Sequence, residues 1–270
     1  MVVTITYAQI VQALGLKSIE AVKTCQGVLV QNHKGRRDIQ RLEWPVAGGG
    51  KMVFFLKRIW QQDKKDGLWS LLRHGKPWSV CRREWENSLL LQSAGFQTAE
   101  LVAYGEECGL FWERFSFLLT RAVPVTQTVE DFVQDCHDRT RRREVIRALA
   151  AEVRRLHDAG LAAPDLFCRH LFVELTSQGP RFHWIDMSRL NRCRRVSLRR
   201  RARDLAALNV TAPLRFVSAR ERLFFLQIYA GSVHRPLFRR IRSRVRHLLT
   251  RRKFNDFITS HSAASLQTGK

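Results

Sequence analysis

Leu156-His157-Asp158-Ala159-Gly160-Leu161-Ala162-Ala163-Pro164-Asp165-Leu166-Phe167-Cys168-Arg169-His170-Leu171-Phe172-Val173, followed by Phe182-His183-Trp184-Ile185-Asp186, decides the reading of this chain. Gly160 ends a helix, Asp165 sits in the loop after it, and Leu171-Phe172-Val173 is a short apolar strand. Ser177-Gln178-Gly179-Pro180 reads as a turn, after which a second apolar strand delivers Asp186 to its end. Two carboxylates therefore arrive on neighbouring loops. Phosphoryl transfer needs that pairing, one acid to orient the attacking hydroxyl and one to hold a metal on the nucleotide phosphates. Each acid alone is also an ordinary turn residue, so the flanking sequence has to discriminate.

Upstream, Val145, Ile146, Leu149, Ala150, Val153 and Leu156 share one stripe of a helix whose other side carries Arg and Glu. A shorter helix starts at Thr128-Val129-Glu130-Asp131-Phe132. Before it, Arg121-Ala122-Val123-Pro124 separates strand chemistry from mainly helical patterning and reads as a hinge between lobes at residues 1–122 and 123–254. The first lobe offers strands at Gly27-Val28-Leu29-Val30, Arg37 to Trp44, Met52 to Arg58, Leu101 to Tyr104 and Phe115 to Leu119, a five-stranded antiparallel sheet. Linkers at Lys64-Lys65-Asp66-Gly67 and Gly75-Lys76-Pro77 lead to Ser79, the N-cap of a helix from Val80 to Ser93 that Gly95 closes. Gly48-Gly49-Gly50-Lys51 is a hairpin turn rather than a phosphate loop, because Met52-Val53-Phe54 continues as a strand. Residues from about Tyr7 to Ala21 form a short amphipathic stretch, an N-terminal helix and its turn, with no legible function.

Lys57 finishes the most apolar strand, and Glu84 lies on the helix beside Trp85, with Leu89 a turn further along the apolar side. The carboxylate reaches the lysine if the helix packs on the sheet. Otherwise Lys57 snorkels to solvent and Glu84 is a helix acid favoured by the dipole.

Downstream, the segment from Asp186 to Asp204 holds Arg189, Arg192, Arg194, Arg195, Arg199, Arg200, Arg201 and Arg203. Planar guanidinium groups bind phosphate and carboxylate in a bidentate manner, so this segment suits an anionic ligand; a solvated basic loop is the alternative. From Arg222 to Phe254 there is no acid, and Leu237, Ile241, Val245 and Leu248 recur at helical spacing among arginines. Such a helix lies on an anionic leaflet, or turns its apolar stripe into the core, or does both. Residues 255–270 read as a disordered tail.

The whole chain has 47 Lys and Arg against 24 Asp and Glu, a net charge of +23, over 270 residues that are 45% hydrophobic. That much apolar material supports a real core, and that much charge calls for a polyanionic partner, either nucleic acid or an anionic membrane and its lipids. Basic stretches without regularly interleaved aromatics lack the stacking platforms of a single-strand binder, so no dedicated nucleic-acid site is expected. The six cysteines are scattered without zinc-ligand spacing and read as reduced cytosolic thiols. No signal peptide and no apolar run of about 18 to 20 residues is present, so any membrane contact is expected to be peripheral.

The order of parts, a sheet with Lys57, a helix with Glu84, a hinge, a long helix, Asp165, His170, a strand and Asp186, resembles the protein-kinase-like superfamily. Within it the chain is similar to the lipopolysaccharide core heptose/Kdo kinase family, over roughly residues 25 to 210. The resemblance implies an α+β, bilobal protein-kinase-like fold: a sheet-plus-helix N-lobe and a mainly helical C-lobe. It implies ATP and Mg²⁺ as cofactors, and phosphorylation of a heptose or Kdo of the lipopolysaccharide inner core at the cytoplasmic membrane face. By position, Lys57 matches the lysine on the α and β phosphates, Glu84 its ion-pair partner, Asp165 the catalytic aspartate and Asp186 the metal-binding acid. His170 takes the place of a metal-binding Asn, Asp204 matches the helix aspartate that braces the catalytic loop, and Gly35 stands for a reduced glycine-rich loop. Arg189, Arg192, Arg194 and Arg195 fall where an anionic glycolipid acceptor docks. Ala163-Pro164 before Asp165 and Ser188 after Met187 depart from the family pattern, which leaves room for a pseudokinase or for a kinase of another acceptor.

Overall fold

A computed structural model of the protein describes residues 1–33, 35–46, 48–60, 75, 78–110, 112–232 and 234–250. It divides into two compact units, one of residues 1–124 with 186–188, the other of residues 125–185 and 189–270.

The first unit is built on a sheet. Its elements in chain order are β1 (Val2–Val3), a 3₁₀ turn (Ile5–Tyr7), α1 (Ala8–Ala13), α2 (Ile19–Thr24), β2 (Val28–His33), β3 (Arg37–Pro45) and β4 (Lys51–Ile59). Then follow α3 (Val80–Ser93), β5 (Gln97–Thr98), β6 (Leu101–Cys108) and β7 (Glu113–Arg121). The sheet is antiparallel in the order β1-β6-β7-β4-β3-β2, so it has six strands where the sequence suggests five. The extra edge is Val2–Val3, paired with Tyr104 and Ala103. Two residues are too short for alternation to register as a strand. The N-terminal stretch likewise resolves into two six-residue helices rather than one.

Strand alternation fixes which side chain meets which layer. In β4, Phe54 and Leu56 face one side and join Tyr7, Val11, Leu16 and Val22 of the N-terminal helices with Phe117 and Leu119 of β7. Lys57 and Ile59 face the other side, where Ile59 and Leu118 pack with Cys81 and Trp85 of α3. The period of two along β4 therefore sends Lys57 to the helix that carries Glu84. Arg58, its neighbour, goes to the opposite face. There it pairs with Asp38 directly across the strands and donates to the carbonyls of Val22, Lys23 and Cys25 at 2.9–3.0 Å, closing the end of α2. Ser79 caps α3 by accepting from the Arg82 N–H. Leu89, expected on the apolar side of α3, is 43% exposed; Cys81, Trp85 and Leu91 form the buried face instead.

The second unit is mainly helical: α4 (Val129–Asp135), α5 (Arg139–Asp158), α6 (Leu198–Thr211), α7 (Ala219–Ala230) and α8 (Arg235–Leu249). Short strands β8 (Leu161–Ala162) and β11 (Asn191–Arg192) pair with each other, and β9 (Leu171–Thr176) with β10 (Gly179–Trp184) in a hairpin. A 3₁₀ turn, Cys168–His170, precedes β9. The stripe read from the sequence is the buried face of α5, extended by His157. Gly160 ends that helix with φ 77°, and a Cβ there would collide with the Cys193 carbonyl. Only glycine meets both demands. The basic C-terminal stretch breaks at Gly231, φ 70°, between α7 and α8. Leu237 and Ile241 of α8 are buried, so its apolar stripe does turn inward. The linker 61–74 with 76–77 and the tail 255–270, together with Arg251 and Arg252, lie outside the described residues.

Candidate active site

Lys57 Nζ donates to Glu84 Oε2 at 2.6 Å and to Asp186 Oδ1 at 2.7 Å. Lys57 and Glu84 are 8% and 7% exposed, whereas the Asp186 side chain keeps 31% of its surface open. Burial disfavours the ammonium, but the carboxylates of Asp186 and Glu84 outweigh that penalty and raise the Lys57 pKa, so the lysine is a fixed cation. Glu84 shows the opposite balance: burial pushes its pKa up, the Lys57 charge pulls it down, and Asp186 pushes it up again, for a net rise. One cation between two acids leaves the group a positive charge short when both acids are ionised. That deficit favours a further cation on the open side of Asp186.

Asp186 has φ 53°, and no other non-glycine among the described residues has positive φ. An aspartate held in the left-handed region is uncommon and clusters at functional sites. The segment is tied down by Asn87, whose side-chain amide donates to the Met187 carbonyl at 2.8 Å. Asn87 follows Glu84 by three residues and so shares its helix face. That spacing is the sequence signal by which Asn87 could have been found; it was not among the expected site residues. Gly35 lies in the turn between β2 and β3 with φ 71°, and its N–H is taken by Asn32 Oδ1 at 3.0 Å.

The second unit shapes the other loop. Asp165 Oδ1 accepts from Arg189 Nη1 at 3.0 Å. The Asp165 carbonyl is 3.1 Å from His170 Nδ1, and Arg169 Nε donates to His170 Nε2 at 3.3 Å. With Nε2 as acceptor, the proton sits on Nδ1 and donates to that carbonyl, so both ring nitrogens serve the loop's own shape. The His170 carbonyl in turn accepts from the Ile185 N–H at 3.0 Å, joining the loop to the strand that leads into Asp186.

Beneath the loop, Asp204 Oδ2 accepts from the Ala163 N–H at 2.8 Å and lies 3.3 Å from His157 Nε2, while Arg203 Nε donates to Oδ1 at 2.7 Å. His157 Nδ1 is 2.8 Å from the Tyr229 hydroxyl. Asp204 and His157 have fully buried side chains. A buried carboxylate with three donors is a rigid anchor, because each of those bonds would be left unmet if it moved.

The arginines of the following segment separate into two groups. Arg201 is committed to Asp158 and the Tyr229 hydroxyl, and Arg203 to Asp204, so these two belong to α6 and the frame rather than to a free basic loop. Arg189 holds Asp165. Arg192, Arg194 and Arg195 are exposed, and among the described residues no carboxylate lies within ion-pair distance of them. Among the described residues no three of His, Cys, Asp and Glu converge as a metal cage. A hard divalent ion here would rest on Asp186 and on the phosphates it accompanies, which is the usual manner of Mg²⁺ and fits a carboxylate with an open side.

The model of the lipopolysaccharide kinase (Kdo/WaaP) family matches residues 20–229. The chain is 30% identical over 232 residues to the lipopolysaccharide core heptose(I) kinase WaaP of Pseudomonas aeruginosa, covering 83% of each protein. It is 28% identical over 223 residues to the protein of the same name from Escherichia coli, covering 80% of this chain and 82% of that one. Its fold is similar to that in a solved structure described as WaaP in complex with acyl carrier protein. The TM-score is 0.62 at 24% identity, over 95% of this chain and 96% of that one.

Proposed function

Because the chain belongs to the lipopolysaccharide kinase (Kdo/WaaP) family, and is thus an ATP-using phosphotransferase, we propose that it phosphorylates a heptose hydroxyl of the lipopolysaccharide core. The observation that carries this reading is the Lys57 ammonium clamped between Glu84 at 2.6 Å and Asp186 at 2.7 Å. A cation so fixed needs no reorganisation when an anionic phosphate chain arrives. In this reading Lys57 binds the α and β phosphates and Glu84 keeps it in place. Asp186 would hold Mg²⁺, which would supply charge neutralisation on the phosphates. Arg37, close enough to oppose the Lys57 charge, adds positive potential on the same side.

Asp165 orients the acceptor hydroxyl and takes its proton. Its partner Arg189 is 63% exposed, so an anionic acceptor can draw the guanidinium away and leave the carboxylate to the hydroxyl. Arg192, Arg194 and Arg195 then hold acidic groups of that acceptor. Asp204 positions Asp165 through the Ala163 N–H, so the anchor persists although Ala163-Pro164 precedes the aspartate. His170 shapes the loop. Glycolipid acceptors sit in a membrane, and α8 offers a peripheral contact: Arg239, Arg240, Arg242 and Arg246 are exposed while its apolar side is turned inward. No helix of the described residues is long and apolar enough to cross a membrane.

The test is phosphate transfer from labelled ATP, with Mg²⁺, to lipopolysaccharide lacking its core phosphates. Wild type should label the heptose, and Asp165→Asn and Asp186→Asn should lose most of the rate. Equal labelling by all three would refute the assignment of the site.

A further inference from the structure

Away from the residues assigned above, the second unit has an open cleft of about 700 Å³ at the end of α4, the start of α5, the loop 212–218 and the start of α7. Five arginines line it, Arg139, Arg142, Arg143, Arg215 and Arg220, against one acid, Glu221. Arg142 is a strut. It pairs with Glu221 at 2.7 Å and donates to the carbonyls of Val133, Cys136 and Phe216 at 2.6–2.9 Å. Glu221 also caps α7 by accepting from the Ser218 N–H, so it is fully engaged. The other four arginines are exposed, and among the described residues none has a carboxylate within ion-pair distance. Asp138, nearest in sequence, is outside the lining and caps α5.

Two of these four guanidinium groups lie over aromatic rings. Arg143 lies over the Phe224 ring at 4.7 Å and Arg215 over Phe216 at 5.5 Å. A guanidinium stacked on a ring has its plane set and its edge N–H groups directed outward, ready for bidentate bonds to phosphate or carboxylate. The positive ends of α5, 20 residues long, and α7, 12 residues long, open beside the same cleft. The concavity has the size of a small-ligand site, whereas a protein partner usually needs a broad patch of about 800 Å². Both rings are covered by cations and so are not platforms for bases. The acceptor of the proposed reaction offers an anion of this size, a sugar bearing phosphate or carboxylate.

We propose that this cleft is a second acceptor subsite, binding phosphate- or carboxylate-bearing sugars of the glycolipid away from the hydroxyl that is phosphorylated. The proposal rests on the kinase reading above. Its link to the loop of Asp165 is α4, which packs on the Cys168–His170 turn at one side and is held by Arg142 at its end. Seven helical residues span about 10 Å, a sugar or two.

Isothermal titration of the full chain without ATP tests it. The probe is the delipidated, phosphorylated core oligosaccharide, alongside the same oligosaccharide dephosphorylated and carboxyl-reduced. Wild type should bind the anionic form, and the neutral form at least tenfold more weakly. The Arg139→Gln/Arg220→Gln double variant should lose at least tenfold for the anionic form, and Arg143→Lys/Arg215→Lys, which keeps the charge without the stacked fork, a fewfold. Circular dichroism should show all variants folded, since the four side chains are exposed. In the transfer assay the double variant should raise the acceptor KM with the ATP KM unchanged.

Unchanged binding by the arginine variants overturns the subsite. So does arginine-dependent binding of phosphatidylglycerol vesicles, inorganic phosphate or an acidic protein with equal affinity. If wild type binds the anionic sugar through these arginines yet transfers no phosphate to lipopolysaccharide, the kinase reading fails and the binding site stands. If it transfers phosphate while the variants bind normally, only the subsite fails.

Discussion

Replacing Lys57 with Met removes the cation from between two carboxylates and leaves Glu84 buried with no positive partner at 2.6 Å. Two unit charges about 2.6 Å apart attract by roughly 6 kcal/mol at an effective dielectric of about 20, before desolvation is subtracted. Measured losses on breaking one side of a buried pair are about 3–5 kcal/mol, which is the expected destabilisation of the first unit. Protonating Glu84 reduces that loss. Its pKa is already raised by burial, and without Lys57 it rises further. A carboxyl with a folded pKa above the unfolded one keeps its contribution below the unfolded value and loses it as pH rises through the folded value. The variant's deficit should therefore be small near pH 4 and grow through neutrality. Lys57→Met/Glu84→Gln should recover most of the stability at neutral pH and none of the phosphoryl transfer. Hydrogen exchange of the β4 amides at pH 5 and pH 8 reads the first unit alone, because a chain of two units need not unfold in one step. A deficit independent of pH, or no recovery in the double variant, would refute the account of a buried charge left unpaired.

Asp165→Asn should lower kcat by about 10²–10⁴ with the ATP KM little changed, since proton acceptance and not nucleotide binding is lost. Gly160→Ala should cost more than about 2 kcal/mol by urea unfolding, from the left-handed φ and the collision with the Cys193 carbonyl together. Asn87→Ala should lower kcat while melting changes little; an equal fall in stability and rate would make Asn87 a packing residue. Burial pushes the Cys168 thiol up to about 12, and Cys81 rises as well, so neither should react with iodoacetamide at pH 8 until the chain is unfolded, as mass spectrometry would show.

The fold was legible where periodicity was strong. The α5 stripe and the β4 run followed their apolar spacing, and Gly160 and Ser79 marked helix limits that the structure shares. What escaped was short or long-range. A two-residue strand has no period to read, and Leu89 follows Trp85 by one helical turn yet stays exposed because the buried face of α3 also carries Glu84. For the candidate site, residue order pointed to Lys57, Glu84 and Asp186, and the ion pairs gather these three. The supporting shell was opaque. Asn87 reaches a carbonyl 100 residues away in sequence, and Tyr229 reaches His157 across 72 residues. Nor does sequence distinguish the arginines used for bracing, Arg142, Arg201 and Arg203, from their exposed neighbours, since composition is the same and only the partners differ.

Residues 186–188 belong to the first unit by their contacts, although the chain before and after them lies in the second. A polypeptide ending at Pro124 would thus be an incomplete first unit: Lys57 would face Glu84 alone and Asn87 would lose its carbonyl. Supplying a short peptide across Asp186-Met187-Ser188 to such a fragment is a complementation experiment that the threading of the chain makes possible. Carrying those three residues with residues 1–124 would keep the bonds of Lys57 and Asn87 to Asp186 and Met187 within one piece.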